Sequence, residues 1–359
     1  VSEAPAVEPP TDRPAIEDPA TAKALSSLRL PLVGLPVAAV VFAGLAGWLI
    51  AVGGGWLGIT VLVVAAIAFL VTTFLAVVIS GRWIGPASKL LREQPWRESP
   101  VTVYRPGRGF PRVGLQLPDV ALLAPAMPWP AQQILARTGR VWVVGPDERG
   151  WAAIRSTGLA LPLGQARVTT ADLSDRIEVA VEQHDPGRAS LAAGDAVLAR
   201  VIAGPRKRSR TDLVAPILLT VFAIFVDVDL VRRGVRSDQV WLAVGTLVGT
   251  LLILGFLGWR GYRAWYWARV DKLLAAGPWK SVSITLPEPN RVRRETVVGQ
   301  AILIDGRAVA VKLPRAGHAL RANISATGLL WVAGTPDAGR EMIAGIPGYP
   351  FLNRAEFGS

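Results

Sequence analysis

Four long apolar runs stand out when the chain is read for its hydrophobic and polar positions. The first extends from Leu30 to about Val52 and the second from Trp56 to about Ser80, both without a charge. A third starts at Leu213, is clean to Val226, and then meets Asp227 and Asp229. The fourth covers Val240 to Trp259. A helix of about 20 apolar residues crosses a bilayer, so the pattern predicts four transmembrane helices. The turn Gly53-Gly54-Gly55 makes the first two a hairpin.

Between and after these runs the pattern changes to alternation, the mark of half-buried strands. Strands are expected at 101–104, 113–117, 120–123, 141–145, 151–156 and 176–181, and again at 282–286, 298–304, 308–313 and 329–333. Short helices are expected over Pro128–Arg137 and Ala316–Ile324.

The expected fold class is an α+β membrane protein with four transmembrane helices in two tandem hairpins, each followed by a small mainly-β cytoplasmic domain. Residues 1–29 are expected to form a disordered cytoplasmic tail. The first hairpin is 30–80, with helices 30–52 and 56–80, and the first β domain is 81–211. The second hairpin is 212–262, with helices 212–231 and 240–260, and the second β domain is 263–359. The ending Glu356-Phe357-Gly358-Ser359 reads as a cloning scar outside the fold.

The strongest signal is internal repetition. Lys89-Leu90-Leu91-Arg92-Glu93-Gln94-Pro95-Trp96-Arg97 matches Lys272-Leu273-Leu274-Ala275-Ala276-Gly277-Pro278-Trp279-Lys280 as K-L-L-x-x-x-P-W-[R/K]. Further on, Thr138-Gly139-Arg140-Val141-Trp142-Val143-Val144-Gly145 matches Thr327-Gly328-Leu329-Leu330-Trp331-Val332-Ala333-Gly334. Two matches in one order, each downstream of a hairpin, predict a duplicated unit. In each copy Pro ends a helix, since it disfavours helix in the residue before it. Trp96 and Trp279 then either pack the first strand onto that helix end or anchor at the membrane interface.

Composition narrows the chemistry. With no cysteine, thiolate metal sites, disulfides and cysteine nucleophiles are excluded. Two histidines, His184 and His318, leave little for zinc, haem or acid–base schemes. The usage of Ala, Val, Gly, Pro and Arg is that of a GC-rich, actinobacterial genome. A net charge of +12 raises the question of anionic partners.

Arg206, Lys207, Arg208 and Arg210 form a basic run at the start of the third apolar segment, and Arg260 and Arg263 follow the fourth. These positions favour contacts with anionic lipid over nucleic acid. Lys and Arg flanking the runs place both termini and both β domains in the cytoplasm of a bacterial inner-membrane protein. Trp259, Trp265 and Trp267 are expected interface anchors beside Trp96 and Trp279. Gly245 and Gly249 permit close helix approach. Asp227 and Asp229 are possible intramembrane acids. Their D-x-D spacing also occurs in metal-dependent glycosyltransferases, but here it lies in an apolar run.

No phosphate-binding, dinucleotide-binding or hydrolase motif occurs. The expected role is therefore a non-catalytic accessory or scaffold subunit of a membrane complex in secretion, lipid transport or envelope assembly. It would have no cofactor, metal or nucleic acid, and its partners would be membrane lipids and other membrane-protein subunits. The alternatives are an oligomeric transporter or channel using Asp227 and Asp229, and a membrane enzyme acting on lipid-linked substrates.

Overall fold

The computed structural model describes residues 4–51, 56–77, 82–106, 112–125, 127–173, 175–182, 191–211, 240–287 and 296–358, with scattered positions between 212 and 239. Helix α1 spans Pro19–Ala51, α2 Trp56–Ala76 and α3 Arg82–Glu93. The start of α1 is written in its sequence. Asp18 accepts hydrogen bonds from the Thr21 backbone N–H at 2.9 Å and the Thr21 hydroxyl at 2.6 Å. Pro19 occupies the first helical position, where its missing N–H costs nothing. Helices α1 and α2 pack together, with the rings of Phe42 and Phe69 stacked at 5.3 Å.

The first β unit comprises β1 (Arg97–Pro100), β2 (Thr102–Tyr104), β3 (Arg112–Gln116), β4 (Ala121–Pro125), α4 (Trp129–Thr138), β5 (Arg140–Val144), β6 (Trp151–Arg155) and β7 (Gly164–Val168). Two helices follow, α5 (Ala196–Thr211) and α6 (Val240–Leu274). The second unit comprises β8 (Trp279–Thr285), β9 (Val297–Ile302), β10 (Ala308–Leu313), α7 (His318–Thr327), β11 (Leu329–Ala333), β12 (Glu341–Gly345) and β13 (Leu352–Phe357).

Both units are antiparallel barrels with one strand order. The second closes as β10-β13-β12-β11-β8-β9. The first runs β1-β5-β6-β7-β4-β3-β2, and only Val101 separates β1 from β2, so one bent strand nearly closes the ring. The Val101 N–H donates to the Gly139 carbonyl at 2.9 Å, and Ile284 makes the matching bond to Gly328 at 2.9 Å. Each barrel has its own apolar core, centred on Val103, Leu115, Leu122 and Ile154 in the first and on Val282, Val311, Leu330 and Met342 in the second.

The repeated motifs occupy corresponding places. Thr138 and Thr327 return their hydroxyls to the last helical turn, donating to Ile134 O and Asn323 O at 2.8 Å each. Gly139 and Gly328 end their helices in the left-handed region, at φ 62° and 66°. Leu90 and Leu91 pack with Trp96 and Trp142 on barrel 1, and Leu273 and Leu274 pack with Trp279 on barrel 2.

Five expectations are corrected. Among the described residues, one helix, Pro19–Trp48, is long and apolar enough to cross a membrane, so the four-transmembrane-helix fold class is not what the chain shows. The second apolar helix reaches only Leu62–Phe74 by the same measure, and most of the third run lies outside the described residues. The fourth run is the front of a 35-residue helix, α6, whose rear half carries Arg260, Arg263, Arg269, Asp271 and Lys272. Multi-pass inner-membrane placement, with both termini and both β domains cytoplasmic, loses its basis with the four spans.

The supposedly disordered tail is built into the fold. Ala4 is buried with the core of barrel 2, residues 15–17 form a 3-10 turn, and Ala15 is fully buried. The supposed scar is structural as well. Phe357 is buried at the end of β13, opposite Val311. Finally, 176–181 contributes one isolated bridge, Tyr104 to Glu178, rather than a strand.

Candidate functional site at the joint between the barrels

The two barrels meet through a reciprocal contact. After β6, the turn around Gly158 leaves barrel 1 and docks on α7 of barrel 2. The Asn323 side-chain amide donates to the Gly158 carbonyl at 3.0 Å. After β12, the turn around Gly348 leaves barrel 2 and docks on α4 of barrel 1. Arg137 Nη1 donates to the Gly348 carbonyl at 3.2 Å, and its guanidinium lies 5.3 Å from the centre of the Tyr349 ring. Both glycines have positive φ, 66° and 78°. At Gly158 the neighbour also demands a glycine, since a Cβ there would stand 2.4 Å from a Tyr349 ring carbon.

The N-terminal segment straps this joint. Val7 N–H donates to Asn323 Oδ1 at 2.7 Å, and Val7 O accepts from Gly158 N–H at 3.0 Å. A single buried amide, Asn323, therefore touches the strap and both barrels. Pro14 then bridges to Pro95, and Ala15 N–H donates to Gln94 O at 2.9 Å.

Two aspartates complete the arrangement, each preceded by a 3-10 turn and each capping a helix. Asp18 caps α1 and forms a buried ion pair with Arg155 at the end of β6. Thr21 Oγ1, one turn into α1, also accepts from Trp96 Nε1 at 3.2 Å. Burial pulls the Arg155 guanidinium below its usual pKa, while the charge of Asp18 and its hydrogen bond push it back up. Asp195 caps α5 through Val197 N–H at 3.0 Å and Leu198 N–H at 3.2 Å. Its second oxygen accepts from Gly348 N–H in the docking turn. The turn before it repeats the first: Ala192 N–H donates to Gly277 O at 2.9 Å, as Ala15 does to Gln94 O. Gln94 and Gly277 are the same position of the K-L-L-x-x-x-P-W motif.

Beside the joint, a cavity of about 350 Å³ opens between α1, the segment after β6 and the start of α7. Ala20, Lys23, Ala24 and Leu28 line it from one face of α1, with Leu163 and His318 opposite. His318 Nε2 is buried and has no hydrogen-bond partner among the described residues. Burial lowers the His318 pKa first, then the charges of Lys23 and Arg321; Asp18 opposes the shift and Arg155 adds slightly to it.

The residues singled out from sequence fall elsewhere. Asp227, Asp229 and His184 lie outside the described residues. Arg206, Lys207, Arg208 and Arg210 are in α5, but their side chains lie outside the described residues. Arg260 and Arg263 sit on α6 over Phe256 and Trp259, at 5.9 and 5.1 Å. Trp259 and Trp265 are exposed on that helix, and Trp267 is half-buried against barrel 2. Trp96 is 1% exposed and Trp279 half-buried, so both pack helix onto barrel rather than standing at an interface. Gly245 lies on the backbone of α6, and a Cβ on Gly249 would meet nothing within 4 Å.

The joint itself escaped sequence reading. Asp18-Pro19 is a legible helix start, but nothing local to Arg155, Asn323 or Asp195 announces partners more than a hundred residues away. No protein-family model, curated protein or solved structure matches this chain.

Proposed function

We propose that the chain is a non-catalytic scaffold in a membrane-associated assembly, a two-barrel unit that presents apolar helices to lipid and to other membrane-protein subunits. The observation that carries this reading is how the chain uses its buried polar side chains. Asp18, Arg155, Asn323 and Asp195 each bind strap to barrel, helix to barrel, or one barrel to the other. Groups committed to cohesion hold two domains in one orientation, as a scaffold requires.

The helices supply surfaces that call for partners. On α1, Val33, Val37, Val40 and Trp48 are exposed, and on α2 so are Val64, Ile67, Leu70 and Phe74. Apolar surface of that extent is covered by lipid or protein in the working state. On α6, Arg263 over Trp259 and Arg269 over Trp265 combine cationic and aromatic groups suited to a headgroup layer.

The test is affinity purification of the full chain from native membranes in mild detergent, with quantitative mass spectrometry. A scaffold brings down a defined partner at near-constant ratio. Recovery of the chain alone, as a monomer or homo-oligomer, would overturn the reading.

A further inference from the structure

The outer walls of the two barrels differ at positions that correspond. Thr102 pairs with Gln116 and Thr285 with Gln300, each one residue after the matched bonds of Val101 and Ile284, so the two glutamines hold one place in the fold. Two residues earlier on the same outer face, Gly114 lies beneath Leu173. A Cβ on Gly114 would stand 3.2 Å from both Leu173 methyl carbons, and Leu173 is buried. The first barrel thus covers this part of its wall with its own chain. In the second barrel Val298 holds the Gly114 position and is 53% exposed.

The hairpin of the second barrel is also the longer one. Gln116 pairs with Ala121 across residues 117–120, whereas Gln300 pairs with Ala310 across 301–309. The longer link brings in Ile302 and Ile304, 55% and 73% exposed. Burial alternates along β9, so Val297, Gly299 and Ala301 face the core while Val298, Gln300 and Ile302 share the outer face. Across the ladder these three stand beside Lys312, Ala310 and Ala308. One row of the outer face is therefore a ridge of longer side chains, and the other is a trough of alanines closed at one end by Lys312. The charges at the two ends are already paired, Lys312 with Glu356 and Arg307 with Asp305.

We propose that the outer face of the β9–β10 hairpin docks on the same face of a second copy of this chain. A ridge beside a trough is complementary to its own image about a two-fold axis running parallel to the strands, midway between them. Under that axis the two sheets stack face to face, and Ile302 covers the partner's Ala308 while Val298 covers the aliphatic stem of the partner's Lys312. The two Gln300 amides meet across the axis, where each gives one hydrogen bond and takes one. Charges paired within one copy leave no net field on the face that calls for a partner of opposite sign. The face is about 20 Å long and two strands wide, less than the about 800 Å² per partner of a standard stable interface, so the dimer is weak and concentration-dependent. The pairing goes beyond the scaffold reading and stands with or without other subunits.

The experiment joins cross-linking in native membranes to sedimentation equilibrium of the full chain in neutral maltoside detergent over a dilution series. The chain has no cysteine of its own, so a cross-linked homodimer reports the introduced site alone. With a short bismaleimide, Gln300→Cys should give a homodimer, and Gln116→Cys, at the same place on the first barrel, should not. Ile302→Glu sets a carboxylate at two places of a two-fold interface and should weaken the dimer by at least about tenfold. Ala308→Glu fills the trough and should do the same. Both positions face outward, and either variant that keeps the parent melting temperature suffices. A monomer at every concentration, a Gln300→Cys cross-link to a different protein instead of a second copy, equal cross-linking at 116 and 300, or a dimer unmoved by the folded variant would overturn the proposal.

Discussion

The two barrels share a strand order, a capping helix and a docking turn, yet they hold themselves in place by different means. In the first half the capping aspartate faces a buried guanidinium: Asp18 against Arg155. In the second half the capping aspartate faces a backbone amide: Asp195 against Gly348. The same local device, a 3-10 turn followed by an N-cap, thus carries a charge pair in one copy and a neutral donor in the other. A buried charge pair adds little net stability when complete but is costly to break, because the remaining partner is stranded. Removing a cap bonded to backbone N–H groups strands only neutral donors, at a smaller cost than a stranded charge.

That contrast sets the largest expected effect. Asp18→Ala leaves Arg155 buried without its counterion and should cost about 3–5 kcal/mol, while Asp195→Ala should cost about 1–2 kcal/mol. Urea unfolding of both variants measures the difference, and equal losses would erase the distinction. Arg155→Met placed on Asp18→Ala should recover most of the larger loss, because the stranded charge is gone.

The docking turns offer the next comparison. Gly158→Ala drives a Cβ against the ring of Tyr349, a residue with no exposed surface, and holds alanine at φ 66°. Gly348→Ala meets first the Nη1 end of Arg137, a flexible side chain that can move aside. The first should cost about 1–3 kcal/mol through overpacking, more than the second. Hydrogen exchange at the Asn323 side chain and across 155–161 would show whether the joint opens. A Gly348→Ala loss as large as that of Gly158→Ala would mean that positive φ, not the ring, sets the cost at both turns.

The smallest effect is one of pH. Among the described residues, the histidine at the joint comes from the second barrel. Burial, with Lys23 and Arg321, holds the His318 pKa below its usual value against the pull of Asp18, so the unfolded chain takes up the proton more readily than the folded one. Stability from this source is complete above the ordinary histidine value of about 6.5 and falls as pH drops below it. Between pH 7.5 and 5.5 the melting temperature of His318→Asn should fall less than that of the parent. A parallel fall in both would remove His318 from the account.

Much of the barrel architecture was legible in the chain. Alternation placed β3, β4, β5, β10 and β11 within a residue or two, and the paired motifs marked corresponding corners of both barrels. The missing strands did not announce themselves for physical reasons. In β7, Gly164-Gln165-Ala166-Arg167-Val168 buries only Ala166. In β13 the inward positions are Asn353, Ala355 and Phe357, so a polar residue sits where the pattern expects an apolar one. The apolar runs misled in another way: length and hydropathy describe a segment without regard to how much of it a folded helix uses. Sequence-distant partners such as Asn323 with Val7 leave no local trace at all.

The reciprocal docking of turn on helix has a consequence for ancestry and assembly. When one turn grips the partner's helix while the partner's turn grips its own, the geometry is that of an isologous pair. Here both members belong to one polypeptide, so their meeting is an event of order one in concentration, favoured by the high effective molarity of a tether. A tethered pair is free of the self-complementarity that a true dimer must keep at every position. Each half could therefore specialise its half of the contact, one taking on a strap and a charge pair, the other an aspartate bonded to backbone. The asymmetry at Asp18 and Asp195 is what a dimer gains once its subunits can no longer exchange.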